Sequence, residues 1–119
     1  MGWTVEQANA ALADANRVRN KAARLRRALR NEEKPAGLRL AADIIADPQP
    51  WQEAFTPAAL ITAPHKCGPA LVNAVAKGTG VDVHRRLRDI PEADRARVAM
   101  SLHRRAAATE ASKSKGVAA

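Results

Sequence analysis

The feature that most restricts the fold is a stretch of thirty residues that contains neither glycine nor proline. It runs from Val5 to Lys34 and reads VEQANAALADANRVRNKAARLRRALRNEEK. Thr4 and Gln7 form a capping-box pattern, in which each side chain can accept a hydrogen bond from the backbone N–H of the other residue. We therefore predict a long helix that begins at Val5 and continues until Pro35 interrupts it.

The second half of this helix is strongly basic. At about 100° per residue, Val18, Ala22, Leu25 and Leu29 share one narrow apolar stripe. Cations lie beside the stripe and opposite it: Arg17, Arg19, Lys21, Arg24, Arg26, Arg27 and Arg30. Like charges three and four positions apart destabilise a helix, so we expect the stripe to dock and the basic arc to face an anion. The alternative is a solvated amphipathic helix or a coiled-coil seam.

The rest of the chain predicts only short helices. Pro35 and Gly37 are expected to break the chain, and Trp51 and Phe55 are expected to fill the core. Pro57, Pro69 and Pro91 are typical of helix starts. Inward-facing residues are then Leu38, Ala41, Ala42, Ile45, Val98, Ala99 and Leu102.

No segment alternates β-branched and polar residues over the length of a strand, so the predicted fold class is all-α. We expect the long basic helix in residues 1–34 and a small helical domain in residues 35–105. The alanine-rich residues 106–119 are expected to form a disordered tail.

The charge balance indicates a polyanionic partner. Twenty Lys and Arg residues oppose twelve Asp and Glu residues, which leaves a net charge of +8. Such a field attracts nucleic acid, although a protein can also simply be basic. Cys67 is the single cysteine, which excludes a disulfide framework and a cysteine-based zinc site. No apolar leader or long apolar run is present, so we expect a cytoplasmic protein.

Two turns carry the most specific pattern. The first contains Lys66 and Gly68, where a glycine lets the backbone approach a partner and a lysine adds a point charge. Sixteen residues separate Gly68 from Arg85 in the second turn, VDVHRRLRDIP (residues 81–91). Arg85, Arg86 and Arg88 of that turn can offer forked donors to neighbouring phosphates. Together the turns are expected to grip a phosphate backbone at two places.

This order of parts resembles the helix-two-turns-helix core of the actinobacterial integration host factor family. That family typically shows Lys-Val-Gly, a helix, and then Arg-Arg-Leu-Arg-Gly-Leu, and the resemblance covers roughly residues 8 to 105. It implies a nucleoid-associated protein that binds duplex DNA with little sequence preference, bends or organises it, and can assist a recombinase. It further implies a phosphate-contacting set and a second surface on the long helix: Lys66, Gly68, Arg85, Arg86, Arg88, and then Lys21, Arg24 and Arg27.

Pro69 and Asp89 depart from the family pattern, in which lysine and glycine are usual. Pro69 removes a cation and a backbone donor, and Asp89 places a negative charge beside the arginines. We therefore expect the chain to grip phosphate differently from its relatives.

Other functions remain open at this point. The same double-turn motif serves an RNA-binding ribosomal protein, and the long helix could instead self-associate or bind a protein partner. DNA glycosylases with this motif use an N-terminal proline amine, whereas this chain begins Met1-Gly2. We expect no enzymatic activity, catalytic residue, metal or cofactor, and we expect a monomer that binds double-stranded DNA away from membranes.

Overall fold

A computed structural model describes residue 2, residues 4–64 and residues 67–118, with side chains described as far as residue 112. The described residues contain helices and connecting segments but no β-strand, so the all-α prediction is confirmed. The helices are α1 (Val5–Asn31), α2 (Lys34–Ala46), α3 (Pro57–Thr62), α4 (Pro69–Thr79) and α5 (Glu92–Ala118), with single 3₁₀ turns at Pro50–Gln52 and Leu87–Asp89.

The predicted capping box starts α1. The Thr4 hydroxyl accepts from the Gln7 backbone at 3.1 Å, and the Gln7 side chain accepts from the Thr4 backbone at 2.9 Å. The helix ends at Asn31, before Pro35, because Glu32 adopts an extended conformation.

The predicted break is present but lies at Glu32 and Glu33, between α1 and α2, and not at Pro35 and Gly37, which are both inside α2. Pro35 occupies the first turn, where its missing N–H loses no helical hydrogen bond. Gly37 is buried against Pro64, and a Cβ on Gly37 would lie 2.5 Å from the Pro64 Cβ. This glycine therefore permits close packing of α2 against Pro64 instead of interrupting the helix.

The core lies mainly between α2 and α5, which form the most extensive helix pair. Their buried side chains include the residues that the sequence predicted to face inward: Leu38, Ala41, Ala42, Ile45, Val98, Ala99 and Leu102. Small alanines on α2 allow the two helices to approach closely while the larger aliphatics interlock. Helices α3 and α4 close the core with Leu60, Ile61, Val72 and Val75.

The prediction of a disordered tail from residue 106 is wrong, because α5 continues to Ala118. Ala106 is fully buried, at the i+4 position after Leu102. Glu110 forms an ion pair with Arg39 of α2. The segment is rich in alanine, the best helix former, and its first glycine is Gly116. Residues 106–112 therefore extend the packed helix.

Helix α1 docks by one end only. Leu29 is fully buried and Leu25 packs on the edge of the core, but Val18 is 38% exposed. Val5 and Leu12 are also exposed. The predicted docking of the apolar stripe is therefore confirmed for its C-terminal end and wrong for Val18. A helix of this length spans about 40 Å, so its N-terminal part extends beyond the body of the protein.

Candidate nucleic-acid interface

The second turn (residues 81–91) separates aliphatic and charged side chains cleanly. Its aliphatic residues point into the protein and its three arginines stay exposed. The buried positions are Val81, Val83, Leu87 and Ile90, and the exposed arginines are Arg85, Arg86 and Arg88. The arginine side chains point into solvent because the neighbouring Val83, Leu87 and Ile90 side chains are buried and hold the backbone against the core.

Backbone hydrogen bonds attach the second turn to residues 49–58, which we call the linking segment. Leu87 N–H donates to the Phe55 carbonyl at 2.9 Å, and Arg88 N–H donates to the Glu53 carbonyl at 3.1 Å. On the other side, Ala58 N–H donates to the Val83 carbonyl at 2.9 Å. These bonds fix the path of the backbone, so the three guanidinium groups project from a defined platform.

The three arginines differ in their electrostatic surroundings. Arg85 lies 3.7 Å from the Asp82 carboxylate, and Asp89 and Asp94 line the same small hollow as Arg85. Arg86 and Arg88 have no ion pair within the described part of the chain. The positive charge available to an external anion is therefore greatest at Arg86 and Arg88.

Only part of the first turn can be placed. Lys66, predicted to contact phosphate, lies outside the described residues, as does His65. Gly68 is the residue before α4 and has ordinary extended backbone, with φ −138°. A Cβ on Gly68 would have no heavy atom within 4 Å, so the space in front of this glycine is open to a partner.

The fold brings the two turns to one depression. Pro69, which follows Gly68, and His84, which precedes Arg85, line the same shallow hollow. Its floor comes from α3 and α4, through residues such as Ala59, Thr62 and Val72. The two turns that the sequence paired are therefore neighbours in the fold, at Pro69 and His84.

The basic half of α1 contacts the linking segment through aromatic rings. The Lys21 Nζ lies 5.9 Å from the centre of the Trp51 ring, and Arg24 lines the same groove. The Arg26 Cζ lies 5.6 Å from the centre of the Phe55 ring. Trp51 and Phe55 meet edge to face at 6.2 Å. Both rings are half-buried, and Phe55 also packs against the core, whereas Trp51 does not. The prediction that the pair fills the core therefore holds only for Phe55, and both rings form a bridge to α1.

Not every predicted α1 cation takes part in this contact. Lys21 and Arg24 face the groove, whereas Arg27 is exposed and makes no ion pair or ring contact with the described residues. Arg26 was not among the predicted site residues. No local pattern in the sequence indicates Arg26, because the sequence does not show that Phe55 lies beside α1.

The linking segment therefore connects two basic surfaces. Its aromatic side chains hold Lys21 and Arg26 of α1, while its carbonyl groups hold the backbone of Leu87 and Arg88. A single short segment thus determines how the α1 cations and the second turn are placed with respect to each other.

Three further features of the described residues bear on function: the Cys67 thiol, possible metal ligands and possible membrane-spanning helices. Burial raises the pKa of the Cys67 thiol, with a smaller opposing effect from nearby Lys34, so the thiol stays protonated and packs against the core. The described residues include no cluster of three His, Cys, Asp or Glu side chains able to hold a metal ion. None of the helices in the described ranges has both the length and the apolar character to cross a bilayer.

A comparison of the chain with models of known families, with curated proteins and with solved structures finds no match.

Proposed function

We propose that this protein is a nucleoid-associated, integration-host-factor-like protein that binds duplex DNA through its phosphate backbone. The observation that carries the proposal is the linking segment, which holds the basic half of α1 and the arginine-bearing second turn on one structural unit. The linking segment keeps these two basic surfaces in a fixed relation, so that one polyanion can contact both.

The arrangement favours contacts with phosphate over contacts with bases. Arg86 and Arg88 project from a turn, and a guanidinium group binds phosphate oxygens through two parallel N–H donors. Trp51 and Phe55 are engaged by Lys21 and Arg26, which leaves them unsuited to stack on unpaired bases. Contacts of this kind position a protein on a duplex without reading its sequence.

Two separate surfaces also provide a way to bend or organise DNA. A duplex that touches both α1 and the second turn must follow the surface between them, and smooth bending of a short site costs roughly 1–6 kcal/mol. Phosphates that reach the protein only when the duplex is bent offset this cost. A protein that stabilises a bend can assist a recombinase by bringing two sites on one DNA together.

The proposal is tested by salt-dependent binding to random-sequence duplexes. If about six phosphates are contacted, log affinity falls with log salt at a slope near −5. Arg86→Ala with Arg88→Ala should weaken binding equally on all sequences and reduce the magnitude of the slope by about 2. The matched control is Lys77→Ala with Arg104→Ala, which removes the same charge from exposed positions outside α1 and both turns and should have a smaller effect.

Two outcomes would contradict the proposal. Equal losses in the double variant and in its charge-matched control would show that net charge alone drives binding. Preferential binding of duplex RNA in direct competition would assign the same surfaces to RNA, as in the RNA-binding alternative.

A further inference from the structure

A second group of arginines lies on α5, away from the linking segment. Arg97, Arg104 and Arg105 line a hollow of about 720 Å³ together with Ser101 and residues at the end of α4. We call this the α5 hollow. Its remaining lining residues are Gly78, Thr79, Met100 and Ala108.

The charges of the α5 hollow are only partly compensated by the protein. Arg97 forms an ion pair with Asp94 and donates to the Thr79 carbonyl at 3.4 Å, so it mainly neutralises Asp94 and the C-terminal end of α4. Arg104 contacts the sulfur of Met100 at 3.2 Å and has no carboxylate partner among the described residues. Arg105 has a buried Nε–H without an acceptor there. Two uncompensated cations therefore face one concave space.

Asp94 lies between the second turn and the α5 hollow. It lines the small hollow beside Arg85 and pairs with Arg97, which lines the α5 hollow. A continuous phosphate backbone that ran from one surface to the other would have to pass this ion pair, which offers it no net positive charge. The α5 hollow is therefore electrostatically distinct from the surface proposed to bind the duplex.

We propose that the α5 hollow binds a free phosphorylated small molecule of the nucleotide class. Its volume falls in the range of about 300–1,000 Å³ that is common for small-molecule sites, whereas a duplex presents a convex surface. Arg104 and Arg105 supply forked donors to a polyphosphate chain. The Ser101 side chain adds a hydroxyl, and Met100, which is 55% exposed, offers an apolar surface to a base. This proposal does not depend on duplex binding.

Gly78 provides a matched pair of variants. A Cβ on Gly78 would have no heavy atom within 4 Å, so Gly78→Glu and Gly78→Gln should both fold. The two side chains have the same size and differ in charge, and Gly78→Glu places a carboxylate among the arginines. Titration calorimetry of the full chain with ATP and with inorganic triphosphate, in the absence of divalent cations, measures the effect.

We expect Gly78→Glu to weaken ATP and triphosphate binding at least about tenfold relative to Gly78→Gln. Arg104→Ala should weaken binding to a similar extent, and Arg104→Lys should retain part of it. Affinity for a single short duplex should be the same in the Gly78 pair, because the second turn and α1 are unchanged.

Three results would overturn the proposal. The first is absence of ATP and triphosphate binding by the wild-type chain, and the second is equal binding of these ligands by the two Gly78 variants. The third comes from a capture assay with a bead-bound duplex: the wild type, which in this case binds no triphosphate, retains a second, labelled duplex, and Gly78→Glu does not. That result would assign the α5 hollow to a second DNA segment.

Discussion

Helices α1 and α5 have the same length, 27 residues, yet the fold uses them in opposite ways. Helix α5 buries Val98, Ala99, Leu102 and Ala106, and it packs along α2. Helix α1 buries only Leu29 completely and leaves most of its length in solvent. Two helices of equal length therefore have different roles: α5 forms part of the core, and α1 presents exposed cations.

The difference arises from what flanks the apolar residues. On α1, arginines stand on both sides of the stripe, so docking more of it would desolvate several cations. On α5, small residues accompany the aliphatic ones, and the face is wide enough to lie against the alanines of α2. The stability of the protein should therefore depend mainly on the α2–α5 contact, and the capacity to bind an anion mainly on exposed surfaces such as that of α1.

The largest effect on stability is expected for Leu102→Ala. Leu102 is fully buried on α5, and removal of a buried leucine side chain costs about 2–5 kcal/mol. Met100→Ala, two residues earlier on the exposed side, should change the free energy of unfolding by no more than about 0.5 kcal/mol. Denaturant unfolding measures both, and similar losses at the two positions would contradict the assignment of α5 to the core.

Leu29→Ala should have an intermediate effect with a different signature. Leu29 is also fully buried, but α1 contacts the body over a short length. We therefore expect the free energy of unfolding to fall by about 2 kcal/mol and α1 to detach locally from the body. Amide hydrogen exchange should accelerate in α1 more than in α5. Val18→Ala serves as the control, because Val18 lies on the same stripe but is partly exposed, and alanine is the better helix former.

Uniform acceleration of exchange in both helices of Leu29→Ala would show that α1 and α5 unfold as one unit. The proposed division between a structural helix and a charge-displaying helix would then be wrong.

The smallest effects concern the part of α5 that the sequence indicated to be a tail. Ala107→Gly should cost about 1 kcal/mol through helix propensity alone, since Ala107 is exposed. Ala106→Gly should cost about 0.8 kcal/mol more, because the Ala106 methyl group is buried. Thermal unfolding of the two variants measures this difference, and no change in either would indicate that residues 106 and 107 are not helical in solution.

Local signals accounted for the predictions that were confirmed. The capping box at Thr4 and the prolines at helix starts act within a few residues and are visible in the sequence. The exposure of Arg85, Arg86 and Arg88 was expected for the same reason, because charged side chains leave the interior unless they are paired. Their role in DNA binding stays a prediction.

The errors came from contacts between distant residues. Gly37 was interpreted as a breaker because only the tertiary fold places Pro64 against it. The alanines after Arg105 were interpreted as a tail because no local pattern shows that Arg39 and α2 lie beside them. The contact of Arg26 with Phe55 and the position of Asp94 beside Arg85 likewise required the folded chain.

The sequence by itself determined an all-α protein with a long basic helix, short helices bounded by proline and glycine, and an arginine-bearing turn. These properties depend on backbone propensity and on charge, which act over a few residues. The tertiary structure decided which helix packs, which cations remain free, and how the linking segment joins α1 to the second turn. Those outcomes depend on burial and on hydrogen bonds between residues far apart in the chain, such as Phe55 and Leu87.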